Sequence, residues 1–334
     1  RTEPRQPAGS SLQSGHDWRP TASPGRLRLR AALRRRLRAW FDDRGVLEVE
    51  TPALSRAAAT DPAIASFGLA VSGVPHYLHT SPEFPMKRLL AAGSGDIYQL
   101  CRVFRDGERG RRHAPEFTLL EYYRLGYDDR RLADEVDGLL RHLLDGCRAL
   151  GATRRLSYAE ALAEHAGVDA ERDPPTRLAE CLAEAGIDVP AAVAGDRDAL
   201  LDLLLATVVE PCFDPAAPTI LFDFPASQAA LARLRPGPPT VAARFELFLG
   251  GMELANGFHE LADAGEQRRR FEADLRTRGR AGQATPPMDE RLLGALAAGL
   301  PDCAGVAIGF DRVVMVAAGC DSIEDVISFG GERA

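Results

Sequence analysis

The chain has 334 residues, and its apolar content suffices for one large core or two smaller ones, so it can enclose a deep site. A net charge of −7 provides no overall basic field to draw it onto nucleic acid, which favours a protein partner or a small substrate over a polynucleotide. No apolar stretch approaches the roughly 20 residues a bilayer span needs, and the N-terminal residues lack the apolar core of a signal peptide, so a cytoplasmic protein with no membrane association is expected.

The elements follow in chain order. Residues 1–25 are rich in Pro, Ser, Gly and Arg, with too few apolar groups to offset the entropy of ordering them, and predict a flexible N-terminal tail. From Arg26 to Arg44, Leu29, Leu33, Leu37, Trp40 and Phe41 share one helical face that ends at Gly45, while the arginines read as its solvated side. The run VLEVETPAL predicts a short strand stopped by Pro52. Between Pro75 and Tyr123, the segments YLHTSPEF, IYQLCRVFRD and EFTLLEYYR read as antiparallel strands or strand ends, with PMKRLLAAG a short helix. The polar stretch Asp106 to Ala114 is the hairpin loop. Helical spacing over 131–150 and 176–209 predicts a helical insertion around 131–210 in a single domain spanning 26–334. Asp263 followed by Glu266 has the form of a capping box, and CAGVAIGFDRVVMVAAG reads as a strand running into an apolar helix.

Six cysteines, Cys101, Cys147, Cys181, Cys212, Cys303 and Cys320, lack any CxxC spacing and predict free thiols in a reducing compartment, with no structural zinc. The run GMELANGFHELAD concentrates Glu253, Asn256, His259, Glu260 and Asp263 beside two glycines, and Glu246, Glu253 and Glu260 recur at equal spacing. Carboxylates brought together repel unless a cation joins them, so the series asks for Mg²⁺, an ammonium group, or both. Arg105 leaves one strand, His113 sits in the loop, and Phe117 and Glu121 return on the next, which offers a phosphate clamp and a flat face for a base. Gly305 and Gly309 permit close backbone approach beside Arg312, a second phosphate ligand. Singly, each of these residues reads as a surface ion pair, a structural histidine or a solvated glutamate. Together they describe a nucleoside triphosphate site built without a P-loop.

These residues carry a resemblance. FRDGERGRRHAPEFTLLEYY resembles motif 2 of class II aminoacyl-tRNA synthetases in their lysyl form, GVAIGFDRVVM resembles motif 3, and the Arg26 helix with VLEVETPAL resembles motif 1. TSPEF, RFELF and GMELANGFHEL narrow the likeness, which runs from about Arg26 to the C-terminus, to the lysine-activating branch. Only the Pro- and Ser-rich segment precedes motif 1, where a tRNA-charging lysyl enzyme carries an anticodon-binding barrel. The chain is therefore expected to be similar to a stand-alone paralogue that modifies a lysine of elongation factor P, with no tRNA as partner.

The resemblance implies an α+β fold, an antiparallel sheet flanked by helices, and a homodimer formed through motif 1. It implies a ligase that makes an aminoacyl adenylate from ATP with Mg²⁺, using (R)-β-lysine or lysine, and passes the acyl group to a protein lysine. Arg105 and Arg312 would be the catalytic phosphate ligands, Phe117 would stack on adenine, and Asp106, Gly107, Glu108, His113, Ala114, Glu253, Leu254 and Gly309 would complete the nucleotide site. Glu246 and Glu253 would hold the metal. Ser81, Pro82, Glu83, Glu121, Tyr123, Asn256, Glu260 and Ala307 would form the substrate pocket, its acidic members pairing with two ammonium groups. The chain departs from the family at Gly107, where a carboxylate is usual and Glu108 could substitute, and at Ala114, where an asparagine is usual. Ala307 stands where tRNA-charging relatives carry glycine, and its methyl reshapes the pocket near the substrate amine in a way that suits a β-amino acid. The remaining readings are a tRNA-charging enzyme and a non-catalytic synthetase-like regulator, which would be expected to lose the phosphate or metal ligands that Arg105, Arg312, Glu246 and Glu253 retain.

Overall fold

The computed structural model describes residues 18–191 and 193–333. Helix α1 (Pro24–Asp42) leads to the short strands β1 (Leu47–Glu48) and β2 (Leu54–Ser55). A hairpin of β3 (Gly68–Val71) and β4 (Val74–Leu78) precedes α2 (Glu83–Ala91). A longer hairpin, β5 (Ile97–Phe104) and β6 (Glu116–Leu125), is followed by α3 (Asp129–Leu144), β7 (Arg154–Ser157), α4 (Tyr158–Ala166), α5 (Pro175–Glu184) and α6 (Arg197–Leu204). The chain returns through β8 (Thr219–Pro225), β9 (Leu234–Arg235), β10 (Val241–Phe248) and β11 (Glu253–His259). It closes with α7 (Ala264–Arg280), α8 (Glu290–Gly299), β12 (Cys303–Gly309) and α9 (Phe310–Ala318).

One large sheet runs in the order β1-β5-β6-β12-β11-β10-β8-β7, with β9 attached to β10. Its central pairs are antiparallel and its two outermost pairs, β1 with β5 and β7 with β8, are parallel. The expected antiparallel sheet flanked by helices is therefore the architecture found. Period-two alternation gives the sheet two unlike faces. Leu120, Tyr122, Val306, Ile308, Phe245 and Leu247 pack against Leu33, Leu37 and Phe41 of α1, Leu132 to Leu144 of α3 and Val313 to Val316 of α9. The alternate residues on β6, β12, β11 and β10 are left for the opposite face, where the site lies.

The structure adjusts several element boundaries. Helix α1 opens at Pro24, two residues before the predicted start, because Ser23 caps it by accepting from the Arg26 N–H. Of the predicted tail, residues 1–17 lie outside the described residues. Its remainder is tied down: Ala22 is buried and the Thr21 N–H donates to the Ser328 carbonyl at 2.9 Å. Glu83 and Phe84 of TSPEF belong to α2, not to a strand, since Pro82 caps its first turn and the Met86 N–H donates to the Pro82 carbonyl. The middle third is not wholly a helical insertion. Helix α3 packs in the main core, β7 extends the main sheet, and only α4, α5 and α6 form a separate cluster with Leu221, Phe224 and Phe248. Asp263 does cap α7, accepting from the Glu266 N–H at 2.8 Å, but Glu266 turns to Arg269 and Arg270. The reciprocal capping box lies instead at Ser157 and Glu160 of α4.

Candidate active site

Cross-strand pairing sets one row of residues on the open face of the sheet. Glu121 on β6 lies opposite Ala307 on β12, Ala307 opposite Asn256 on β11, and Asn256 opposite Glu246 on β10. Directly opposed residues share a face, so segments more than 180 positions apart in sequence present their side chains side by side. Tyr123 opposes Gly305 one step further along the same face. The row forms the floor of a cavity of about 1180 Å³. Its walls include Ser81, Glu83, Arg105, Glu108, His113, Ala114, Phe117, Glu253, Leu254, Glu260, Gly309 and Arg312. Of the expected site residues, Pro82, Asp106 and Gly107 do not line it. Pro82 is spent as the cap of α2, and Asp106 donates its N–H to the Ala65 carbonyl at 2.8 Å, which ties the hairpin loop to the loop before β3. Gly107 turns at φ +81°, a left-handed conformation that favours glycine, so its departure from the family pattern has a backbone cost of its own to explain it.

At one end of the cavity stand two arginines. The Arg105 guanidinium lies 5.1 Å from the Phe117 ring centroid, donates weakly to the Thr80 carbonyl, and lies 3.7 Å from Glu108. Arg312 donates through Nη1 to the Glu253 carbonyl and through Nη2 to His113 Nε2, both at 2.7 Å. That contact requires a lone pair on Nε2, so His113 carries its proton on Nδ1, and burial together with Arg312 holds its pKa below the ordinary histidine value. Arg112 reaches the Gly251 carbonyl and fixes the turn between β10 and β11. Gly250 and Gly251 both have positive φ, at +64° and +70°, which lets the two acidic strands reverse in so short a span.

The carboxylate series is divided by the fold. Glu246 is buried, and burial with the neighbouring Glu253 and Glu210 pushes its carboxyl up to about 8, although Arg244 and Asn256 both donate to it. Glu210, at the end of the helical cluster, is itself pushed up to about 7 by burial and Glu253. Glu260 sits at the other end, among different partners. Burial and Glu83 raise its carboxyl to about 7 against the pull of Lys87, whose ammonium is 2.6 Å from both Glu260 and Glu83. At the same end as Glu260, Glu121 accepts from Ser81 Oγ at 2.6 Å and from the Tyr123 hydroxyl at 2.7 Å, and burial with Glu83 pushes it up to about 8. His259 and Asp263 do not join the site: His259 lies 3.0 Å from Asp302, and Asp263 caps α7.

Sequence reasoning missed Lys87, Arg244 and Glu210. Lys87 follows Glu83 by four residues on a helix, the spacing of an ion pair, and Arg244 precedes Glu246 by two on a strand and so shares its face; both signals were present. Nothing local marks Glu210. Chemically, one end of the cavity can hold polyphosphate between Arg105 and Arg312, while the other, lined by Glu83, Glu121 and Glu260, suits ammonium groups.

The chain also has relatives among known proteins. Residues 14–333 match the family model described as tRNA synthetases class II (D, K and N). The chain is 50% identical over 323 residues to a Salmonella gallinarum protein named elongation factor P–(R)-beta-lysine ligase, covering 95% of this chain and 98% of that one. It is 49% identical, with the same coverage, to proteins of the same name from Salmonella dublin and Salmonella heidelberg. No helix among the described residues is long and apolar enough to cross a membrane.

Proposed function

Because the chain belongs to the class II tRNA synthetases of the D, K and N type, we propose that it is a ligase that activates (R)-β-lysine with ATP and transfers it to a lysine of elongation factor P. The observation that carries this reading is the near-complete match to relatives bearing that name, and the pairing of an arginine-rich end with a triply acidic end in one cavity gives it physical support. A diamino acid carries two ammonium groups and one carboxylate, and the cavity offers the complementary charges, carboxylates at one end and arginines at the other.

In the first step a carboxylate oxygen of the amino acid attacks the α-phosphorus of ATP. The bond to the β-phosphate breaks, and pyrophosphate leaves. Arg105 holds the α-phosphate and the substrate carboxylate, Arg312 holds the γ-phosphate, and Phe117 carries the adenine ring between Ala114, Leu254 and Gly309. Charge develops on the phosphoryl oxygens, and guanidinium groups already held in place, Arg312 by Glu253 and His113 and Arg105 by Thr80 and Glu108, stabilise it without reorganising. In the second step a protein ε-amine attacks the acyl carbon, AMP departs, and the amine loses a proton.

Mg²⁺ fits at Glu246 and Glu253. The carboxyl of Glu246 is raised by burial and two acidic neighbours, a strain that an added cation relieves. Among the described residues no three side chains form a ready metal cage. Mg²⁺ keeps several waters and is usually held by one or two carboxylates together with substrate phosphates, so Glu246 and Glu253 suffice. When bound, it would neutralise charge on the phosphate oxygens.

Glu83, Glu121 and Glu260 pair with the two ammonium groups of the donor, Asn256 and Tyr123 orient it, and the Ala307 methyl, opposite Asn256, reshapes the pocket near the substrate amino group in favour of a β-amino acid. The enzyme works in the cytoplasm as a homodimer joined through α1, with no tRNA acceptor. Exchange of labelled pyrophosphate into ATP, dependent on a diamino acid and abolished by Arg312→Ala, tests the first step. Exchange with no amino acid dependence overturns it.

A further inference from the structure

Lys87 is a lysine with almost no exposure, set on α2 beneath the acidic end of the cavity. Its ammonium donates to Glu83 Oε1 and pairs with Glu260 Oε2, each at 2.6 Å, so it takes up one oxygen of both carboxylates. The other oxygen of Glu260 rests over Gly305, at a place where even a methyl group would come within 2.4 Å of it. The third carboxylate, Glu121, is held by neutral donors instead, Ser81 and Tyr123. Burial opposes a charge on Lys87, but Glu260 and Glu83 overcome it and keep its pKa above the ordinary lysine range, so it is a permanent cation.

We propose that Lys87 is a positioning residue that sets the charge of the substrate pocket, so that two ammonium groups, and not one, neutralise it. This rests on the diamino-acid reading of the site. Bound ammonium groups favour the ionised forms of Glu83, Glu121 and Glu260, and with Lys87 present the three carboxylates so ionised leave the pocket two charges negative, which two ammonium groups balance. A monoamino acid leaves a buried carboxylate unpaired, and an unpaired buried charge is strongly disfavoured. Without Lys87 the cation that draws Glu260 down is gone, and burial with mutual repulsion holds the carboxylates protonated to higher pH than in the wild type. The pocket then no longer demands a second ammonium. Lys87 interacts with Glu83 on its own helix, Glu260 beyond β11 and Cys303 on β12, while Glu121 and Tyr123 on β6 act on those two carboxylates and Arg233 acts on Glu260.

The test compares (R)-β-lysine with 3-aminohexanoic acid, the same chain without the distal amine, in pyrophosphate exchange by wild type and Lys87→Met. Wild type should prefer the diamine strongly. In folded Lys87→Met the preference at pH 7 should fall by about tenfold or more, chiefly through KM for the diamine, as expected for losing about one buried charge interaction. Part of it should return between pH 7 and 9 as the carboxylates ionise. An unchanged preference in the folded variant overturns the proposal, as does a loss in kcat alone with no pH dependence. If Lys87→Met fails to fold, Lys87→Gln is measured in the same way. Wild type labelled with ¹⁵N-lysine provides a readout independent of folding: a protected ammonium resonance, assigned to Lys87, should shift on saturation with (R)-β-lysine, and one that does not move contradicts the proposal. Wild type that activates no diamino acid at all would instead overturn the proposed function.

Discussion

Thr118 donates its backbone N–H to the carboxylate of Asp311 at 2.7 Å, joining the strand that carries Phe117 to the helix that carries Arg312. Asp311 is buried, and its other oxygen accepts from Arg30 of α1, whose second nitrogen reaches Thr118 Oγ1 at 2.7 Å. One carboxylate thus fixes the spacing between the adenine-stacking ring and a phosphate-binding guanidinium. Breaking a buried pair by removing one partner costs about 3–5 kcal/mol, because the survivor is left unpaired. Arg30→Met should therefore lower unfolding free energy by about 3 kcal/mol, the lower figure because Arg30 is partly exposed, and should raise KM for ATP more than KM for the amino acid. Chemical denaturation and pyrophosphate exchange check both parts.

The buried carboxyls predict an unusual pH dependence of stability. Glu121 and Glu246 at about 8 and Glu260 at about 7 lie above their unfolded value of 4.5, so between these values the folded chain binds more protons than the unfolded one. Stability must then fall as pH rises through this window. The Tm of the ligand-free protein should drop from pH 5 to pH 8, and the slope should lessen in Glu121→Gln. Saturation with (R)-β-lysine, ATP and Mg²⁺ should flatten it, since the added cations favour the ionised forms. A Tm that rises across this range contradicts the charge assignment.

Gly305 is required by its neighbours. A Cβ there would lie 2.3 Å from the Tyr123 ring and 2.4 Å from Glu260 Oε1. Gly305→Ala must displace both, at an overpacking cost of about 1–3 kcal/mol. KM for the diamino acid should rise by roughly tenfold while KM for ATP stays within about twofold, as expected when the disturbance is confined to one end of the cavity. Steady-state exchange assays separate the two.

His113 supplies the acid limb of activity. Its Nε2 lone pair accepts from Arg312, and its pKa lies below 6.5, so the contact is intact above 6.5 and is lost as pH falls through the lowered folded value. Exchange should decline by roughly tenfold over that limb, about the worth of one hydrogen bond to a charged group. His113→Asn should remove the limb. An identical acid limb in the variant would assign it elsewhere.

How much of this was legible in the sequence depends on the range of the forces involved. The row Glu121, Ala307, Asn256 and Glu246 could be inferred because strand periodicity and the motif resemblance each constrain which residues share a face. The division of the glutamate series could not be read from its equal spacing, which asks only for Mg²⁺, an ammonium group, or both; the resemblance assigned Glu246 and Glu253 to the metal and Glu260 to the substrate pocket. The fold sets Glu246 with Arg244 and Glu260 with Lys87, because β11 carries the chain from one end of the cavity to the other. The role of α3 was misjudged for a related reason. Its helical pattern is local, but whether its apolar face meets the main sheet or the α4 to α6 cluster depends on packing hundreds of atoms away in sequence. Glu210 had no signal at all, since it becomes part of the site only when a turn of the helical cluster is folded beside Glu253.

The most direct test of the central claim is the intact mass of elongation factor P after incubation with the protein, ATP, Mg²⁺ and (R)-β-lysine, run beside α-lysine and bulk tRNA. The account predicts a gain of one β-lysyl group on a single lysine of the factor, greater with (R)-β-lysine than with α-lysine, and lost with Arg312→Ala. Acylated tRNA with an unmodified factor would contradict it.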